Sequence, residues 1–425
     1  MLDIKIIRSD PKGVETRLQT KDPHVKIDPI LSLDEEVRHL KSAVEEIKNK
    51  RNLLSKEIGE KKRKGEDTSD LMKDVGGLGE KTAEIDKELQ KQETTLNDLL
   101  ARLPNLPDEK VKVSQNIEDN VVLRTFGEKT SFSFEPKNHV ELNEKLHLFD
   151  FKRAAKISGS NWVAYRGNGA KLEWALLNYM LDFHQDNDFQ FWLPPLLVRP
   201  EIVYGSTQLP KFEHQLFKIH DEDHQHYLIP TSEVPLMGLH NNEILDSESL
   251  PLKYVSYTPC FRRESGGLGA SERGLIRTHQ FNKVEMFAFT TPEQSEAIYS
   301  EMVHSAEALL KGLNLHFRVA ELVTGDMSFA ASKTIDLEVW LPGQDRYYEV
   351  SSISHCSDFQ ARRSHTRFKQ AQDKPQLCHT LNGSGLATSR LMVALLENNQ
   401  REDGCVEIPL VLHKYLNGMK ELTPT

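Results

Sequence analysis

The sequence predicts an α+β protein: an N-terminal antiparallel two-helix coiled-coil arm, then a domain of antiparallel strands flanked by helices. Three observations predict it. Residues 28–103 carry apolar side chains at alternating steps of three and four, broken once by the polar run KKRKGEDTSD. Beyond about residue 130, strand-like stretches and turns alternate, with helical periodicity confined to a few segments. No GxxxxGK(S/T) occurs and no GxGxxG follows a strand, so the phosphate loops of doubly wound folds are absent.

The 425 residues suffice for two or three domains, and 54 Lys and Arg against 64 Asp and Glu give a formal net charge of -10. That balance argues against a surface that is basic throughout and leaves any nucleic-acid contact to local patches. The mean hydropathy is -0.53. No apolar run approaches the roughly 18–20 residues of a membrane span, so no membrane partner is expected. The opening MLDIKIIRSDPKG is too charged for a secretory signal. Cys260, Cys356, Cys378 and Cys405 lie far apart and form no CxxC pair. They fit reduced thiols in the cytoplasm better than a disulfide frame, and no structural zinc is expected.

Taken in order, residues 1–27 read as a capping segment with a short strand at Ile4 and Ile6 and a helix after Asp10-Pro11. One heptad series runs Ile30, Leu33, Val37, Leu40, Val44, Ile47, Arg51, Leu54, Ile58. The second runs Leu71, Val75, Leu78, Thr82, Ile85, Leu89, Gln92, Leu96, Leu99, Leu103, with a turn near Gly65 between them. At about 1.5 Å per residue each arm is some 45–55 Å long, enough to project beyond a globular body. Lys56, Lys61, Lys62, Arg63 and Lys64 cluster near the tip, where a phosphate backbone could be met or where the charge is simply solvated. Gly76, Gly77 and Gly79 should soften the second helix. Leu103-Pro104-Asn105-Leu106-Pro107 stops it, and an acidic linker over 108–130 leads to the second domain. The domains are therefore placed at 1–107 and 108–425. Helices are expected over 171–183, 292–312 and 385–398, and strands over 189–193, 315–323, 334–341 and 346–354.

The stretch 254–289, YVSYTPCFRRESGGLGASERGLIRTHQFNKVEMFAF, reads as strand, long polar loop, strand. Period-two alternation puts Cys260, Arg262 and Glu264 on one face of the first strand and Phe281, Lys283 and Glu285 on one face of the second. Paired antiparallel, they offer a guanidinium, carboxylates and an aromatic ring to one side of a sheet. A plain surface hairpin with a charged tip is the competing reading of this stretch. Four more places hold polar groups that packing does not require. They are Thr231-Ser232-Glu233, which also suits a helix start; Tyr347–Ser352, with Glu349 and Ser352 of opposite parity; the glycine-bearing Asn382-Gly383-Ser384-Gly385; and Arg390 in an apolar helix. Glu349 and Ser352 reach one ion only across a bulge or twist. The cluster His220, Asp221, Glu222, Asp223, His224 and His226 reads as a charged hairpin turn, not a metal site.

The runs TPCFRRESG…RGLIRTHQFNKVEMF, LIPTSEVPL, RYYEVSSISHCSDFQARR and LNGSGLATSRLMVALLEN, in that setting, resemble bacterial-type seryl-tRNA synthetases, a class II aminoacyl-tRNA synthetase family. The resemblance spans essentially the whole chain. It implies a class II catalytic domain over 108–425, an N-terminal tRNA-binding domain, a homodimer built on the 171–195 region, and formation of seryl-adenylate from L-serine and ATP. The seryl group then passes to the 3′ end of tRNA-Ser, with tRNA-Sec as a further acceptor. Carried over by residue, Arg262, Arg390 and Glu349 are implied as catalytic. ATP falls to Arg262, Arg263, Glu264, Phe281, Glu349, Val350, Ser351, Ser352 and Arg390, with Phe281 stacking on the adenine and Glu264 at its amino group. Mg²⁺ falls to Glu349 and Ser352, and serine to Thr231, Ser232, Glu233, Arg262, Glu285 and Ser384. Lys61, Lys62, Arg63 and Lys64 are implied at the tRNA-contacting tip.

There are departures from the family pattern. Ser389 stands where a glycine is expected, Arg263 where a small residue is usual, and the loop reads GGLGASERG. Because the charged set is intact, activity with altered loop behaviour is expected. The alternatives are an inactive synthetase paralogue acting as an RNA-binding or coiled-coil interaction protein, and a ligase that loads serine onto a non-tRNA acceptor.

Overall fold

A computed structural model describes residues 1–264 and 274–424, so most of the GGLGASERG loop lies outside the described residues. The chain divides into two compact units, Leu2–Pro104 and Asn105–Thr425 together with Met1.

In the first unit Ile4 and Ile6 belong to a helix, α1 (Ile4–Ser9), not the expected strand. The Asp3 carboxylate caps it by accepting from the Lys5 amide at 2.9 Å, and Ile7, one turn after Ile4, is buried. The cap and the i, i+3 spacing outweigh a two-residue alternation. Helix α2 (Pro11–Gln19) starts as its Asp-Pro predicts, with Asp10 accepting from the Gly13 amide at 3.0 Å. The arm is α3 (Asp28–Arg63) and α4 (Ser69–Ala101), 36 and 33 residues long. Gly65, at φ 74°, makes the turn. Ile30, Val37 and Val44, seven apart, are buried on α3, and Leu96 and Leu100 on α4. Lys41 pairs with Glu93 at 2.7 Å and Lys48 with Asp86 at 3.7 Å. Seven residues forward on one helix thus match seven back on the other, the register of an antiparallel pair. Seam burial thins toward the turn, where Leu53 and Met72 are exposed, because two helices alone cannot enclose their interface.

The second unit is built on an eight-stranded sheet. Its strands are β1 (Val121–Phe126), β2 (Gln190–Trp192), β3 (Leu252–Phe261), β4 (Gln280–Thr290), β5 (Phe317–Glu321), β6 (Lys333–Leu341), β7 (Arg346–Ser357) and β8 (His379–Ala387). The order is β1-β5-β6-β7-β8-β4-β3-β2, antiparallel throughout except β2 beside β3. Helices α5 (Asn168–Asp186), α6 (Glu233–Gly238), α7 (Ser295–Gly312), α8 (Phe359–Ser364) and α9 (Thr388–Asn398) accompany it. Val284, Met286 and Ala288 of β4 join the main core with Leu172, Met302, Leu391 and other residues of α5, α7 and α9. Phe287 and Phe289 enter a separate cluster with Tyr254, Leu236 and Ala361. Alternation on β4 therefore separates a helix-covered face from the face that carries Phe281, Lys283 and Glu285.

Two expectations need correction. The 108–130 linker contains the edge strand β1, paired with β5. Five of its six residues are exposed, so no burial pattern marked it in the sequence. Asn382–Gly385 is strand, and the following helix starts at Thr388. Its glycines serve close packing: a Cβ on Gly383 would lie 2.8 Å from Ile353, and one on Gly385 2.5 Å from the buried His184 ring. The His220–His226 segment is the hairpin turn expected, closed by the Asp221 amide on the His224 carbonyl at 3.0 Å. No described cysteine is in a disulfide. No helix among the described residues is long and apolar enough to cross a membrane.

Gly76, Gly77 and Gly79 lie inside α4, and a Cβ on any of them would meet nothing within 4 Å. Replacing all three with alanine should stabilise the arm by roughly 2–3 kcal/mol. Slower amide exchange along α4 would be the readout; unchanged exchange would show that the glycines do not set its stability.

Candidate active site

The β3–β4 ladder sets Phe281 opposite Cys260, Lys283 opposite Thr258 and Glu285 opposite Ser256. Just past β3, the Arg262 amide donates to the His279 carbonyl at 2.9 Å and its Nε to the Pro230 carbonyl at 3.3 Å. These bonds hold the guanidinium 5.2 Å from the Phe281 ring centroid. Glu264, at φ 45°, pairs with Arg277 at 3.2 Å.

On β7 the bulge that the opposite parity required is present. Leu337 faces Ser351 and Glu338 faces Glu349, leaving Val350 as the extra residue. Glu349 and Ser352 consequently line the same cavity. Glu349 holds Arg390, whose Nη1 donates to its Oε2 and to its carbonyl oxygen, each at 3.1 Å. A second irregularity lies between β4 and β8, where Lys283 faces Ala387 but Glu285 faces Ser384. Leu386 there sits at φ 92°, a conformation that costs a side-chain-bearing residue about 1–3 kcal/mol and that clusters at functional sites.

These elements enclose two adjoining cavities. The first, about 100 Å³, is lined by Arg262, Glu264, Phe281, Glu349, Val350 and Arg390, with Ser389 at its wall. The second, about 370 Å³, is lined by Thr231, Glu233, Glu285, Ser352, Asn382 and Ser384. Arg262, Lys283, Glu349 and Ser384 border both. Aromatic, cationic and anionic groups for a nucleotide thus meet a carboxylate-rich pocket for a cationic ligand.

Three of the residues singled out turn elsewhere. The Ser232 hydroxyl is 2.7 Å from Thr258 Oγ1, inside the protein. Ser351 Oγ donates to the Ser384 carbonyl, which ties β7 to β8. Arg263 lines a separate open groove with His214, Phe217 and Lys218. On the arm, Lys61 pairs with Glu57 at 2.9 Å and Arg63 Nε donates to the Gly59 carbonyl at 3.2 Å, while Lys62 and Lys64 are exposed.

Other site residues were not legible as such. Lys283 shared the predicted face, but no role followed from that. Its ammonium lies 2.6 Å from Glu285 Oε2 and 2.8 Å from Thr231 Oγ1. Gln360 donates to Glu233 at 2.6 Å and accepts from Thr380 at 2.7 Å. Burial, and then the charge of Glu285, raise the Glu233 carboxyl to about 7, and the Gln360 bond acts against that. Asp336 faces Ser352 across β6 and β7, with its carboxyl pushed well up by burial and by Glu349. Asn382 reaches toward Glu285 from β8, with its Nδ2 3.5 Å from Oε1.

Among the described residues no group of three or more His, Cys, Asp or Glu side chains could hold a metal alone. Glu349 and Ser352 offer a hard oxygen pair at a cavity two ligands could share. Mg²⁺ suits such a pair, since it commonly takes one or two protein oxygens and completes its shell with phosphates and water.

Behind the first cavity, Glu173 of α5 accepts from Asn282 Nδ2 at 2.9 Å and from the Thr388 hydroxyl. It thereby links the strand of Phe281 to the helix of Arg390. Burial raises its carboxyl to about 7, opposed by those two bonds. The folded state therefore holds this proton more tightly than the unfolded chain. The stability it contributes is complete below about 4.5 and is lost as pH rises toward 7. Glu173→Gln, which keeps the accepting oxygen, should match the wild type near pH 4.5 and exceed it by roughly 1–3 kcal/mol at pH 8 in urea unfolding. An equal difference at both pH values would mean that Glu173 does not titrate in this range.

Comparison with known proteins agrees with this geometry. Residues 1–107 match the seryl-tRNA synthetase N-terminal domain, and residues 216–399 the class II core domain of tRNA synthetases (G, H, P, S and T). The serine–tRNA ligase of Chlamydia abortus is 54% identical over 424 residues, covering 100% of both chains. The crystal structure of seryl-tRNA synthetase from Pyrococcus horikoshii complexed with ATP superposes with a TM-score of 0.93 at 38% identity, covering 100% of both chains. That of the cytoplasmic serine–tRNA ligase from Naegleria fowleri in complex with AMP gives 0.87 at 27% identity, over 100% of this chain and 99% of that one. The chain belongs to the seryl-tRNA synthetase family of class II aminoacyl-tRNA synthetases.

Proposed function

We infer that this protein activates L-serine with ATP and transfers the seryl group to the 3′ end of tRNA-Ser. The observation that carries the reading is the shared wall of Arg262, Lys283, Glu349 and Ser384 between the aromatic–cationic cavity and the carboxylate-rich pocket. A reaction joining a nucleotide phosphate to an amino-acid carboxylate needs such a junction.

In the first step a serine carboxylate oxygen attacks the α-phosphorus, a P–O bond forms, and the bond to pyrophosphate breaks. No proton need move, so alignment and neutralisation of charge carry the rate. On this reading Arg262 spans the α-phosphate and the serine carboxylate. Phe281 stacks on the adenine, with Glu264 at its amino group. Arg390 exchanges its Glu349 partner for the adenine face and the outer phosphate. Val350 closes the nucleotide cavity, while Ser351 and Arg263 act through the backbone they anchor. Mg²⁺ held by Glu349 and Ser352 would neutralise the phosphates. Thr231, Glu233, Glu285 and Ser384 receive serine, and Ser232 braces them through Thr258. In the second step the terminal ribose hydroxyl of the tRNA attacks the seryl carbonyl and AMP leaves.

A carboxylate aimed at the serine hydroxyl discriminates strongly against alanine, which would leave a buried acceptor unsatisfied. We propose residues 1–107 as the tRNA-binding domain, with Lys61, Lys62, Arg63 and Lys64 meeting the phosphate backbone, and tRNA-Sec as a second acceptor. A homodimer is supported by the exposed apolar side chains Trp174 on α5 and Leu193 just past β2, both within the 171–195 region. We place its work in the cytoplasm. The inactive-paralogue alternative loses its support, since the charged set surrounds both cavities and the family relatives are named as ligases.

ATP–pyrophosphate exchange with Mg²⁺ and each standard amino acid in turn tests the reading. Exchange is expected with serine alone, falling at least ~10²-fold in Arg262→Ala. A folded protein that exchanges with none of them would sink it. Deleting residues 28–103 should spare exchange and abolish tRNA charging; a truncated protein that still charges tRNA-Ser at the full rate would remove the arm from the mechanism.

A further inference from the structure

We propose that Lys283 couples the two ligands. Its ammonium occupies Glu285 until serine arrives, and then turns to the nucleotide phosphates. The inference rests on the serine-activation reading and deepens it.

The pocket contains a strained economy of charge. Glu285 is almost completely buried, and its Oε2 lies 2.6 Å from Lys283 Nζ. Yet that oxygen accepts no directed hydrogen bond from any described residue. The two side chains leave the same strand two residues apart. They bring opposite charges together, but in this arrangement no Lys283 N–H is aligned on Oε2. A free ammonium, with three donors and no tether to the strand, can align one. Serine carries such an ammonium. A ligand that satisfies Oε2 better than Lys283 does would displace it, and the displaced charge would need a new anion.

The nucleotide cavity supplies one. Lys283 borders that cavity as well as the serine pocket, alongside Arg262, Glu349 and Ser384. Its other present anchor, Thr231 Oγ1 at 2.8 Å, is a neutral hydroxyl that also accepts from the Glu233 amide at 3.2 Å, so leaving it strands no charge. Serine binding therefore releases a cation toward the phosphates, and phosphates draw that cation off Glu285. Each ligand should tighten the other by the same factor, as linkage requires.

The test is calorimetry on the full chain. It uses Mg²⁺ and an ATP analogue with a methylene between the α- and β-phosphorus, with and without saturating L-serine. The wild type should bind the analogue at least about fivefold more tightly with serine present. Lys283→Met and Lys283→Gln should each bind serine alone, with that factor falling to near one. A purely structural role would weaken both ligands and leave the factor intact. If either folded variant keeps the wild-type factor, or the wild type binds both ligands independently, the proposal falls and the serine reading stands. A wild type that binds no serine overturns both. Should neither variant fold, the wild-type crystal structure with both ligands decides. Lys283 Nζ on a phosphate oxygen supports the exchange, and Lys283 still on Glu285 ends it.

Discussion

The alternation of residues 281–289 is the constraint on which the rest of the catalytic unit depends. Val284, Met286 and Ala288 fill the helix-covered core, so the intervening positions must face the other way. Two of those, Phe287 and Phe289, close a second apolar cluster at one end of the strand. The other three, Phe281, Lys283 and Glu285, are left at the other end among polar neighbours. A slip of one residue in pairing with β3 would send Lys283 and Glu285 into the core, where a single unpaired charge costs several kcal/mol. The hydrophobic pattern that folds the strand therefore also fixes where the chemistry sits.

Two irregularities then bring neighbouring strands to that face. On β7 the extra residue Val350 lets Glu349 and Ser352 reach the same cavity. On β8 the slip around Leu386 carries the chain from Ser384, opposite Glu285, to Thr388, which is hydrogen-bonded to Glu173 and to the Asn282 carbonyl. A regular ladder would deliver alternate residues only. The bulges convert sequence-adjacent polar groups into convergent ones, at the cost of one strained leucine.

Much of this was legible because the signals are local. Heptad spacing marked the arm, period-two alternation marked the face of β4, and the opposite parity of Glu349 and Ser352 called for the bulge that is there. Strand β1 was invisible because a mostly exposed edge strand has no apolar face to betray it. The helix start expected at Gly385 misled because glycine in a strand, present for contact with Ile353 and His184, has the same letters as glycine at a helix entry. Gln360 meets Glu233 across 127 residues of chain, and Asp336 meets Ser352 only through sheet register. Neither leaves a periodic trace.

The buried carboxylates show why these long-range partners matter. Glu173, Glu233 and Glu285 are nearly solvent-free, and burial drives Glu173 and Glu233 toward their neutral forms. What differs is the company. Glu173 has two neutral donors and remains raised to about 7, a state suited to holding two elements together. Glu233 has Gln360 and the distant help of Lys283 and Arg262, and is likewise raised to about 7. Glu285 alone has a cation in direct contact, on a side chain that also borders the nucleotide cavity. Of the three, it is the carboxylate whose partner can leave without stranding either charge, provided that an ammonium arrives on one side and a phosphate waits on the other. With both ligands present, each charge of the Lys283–Glu285 pair then keeps an opposite partner.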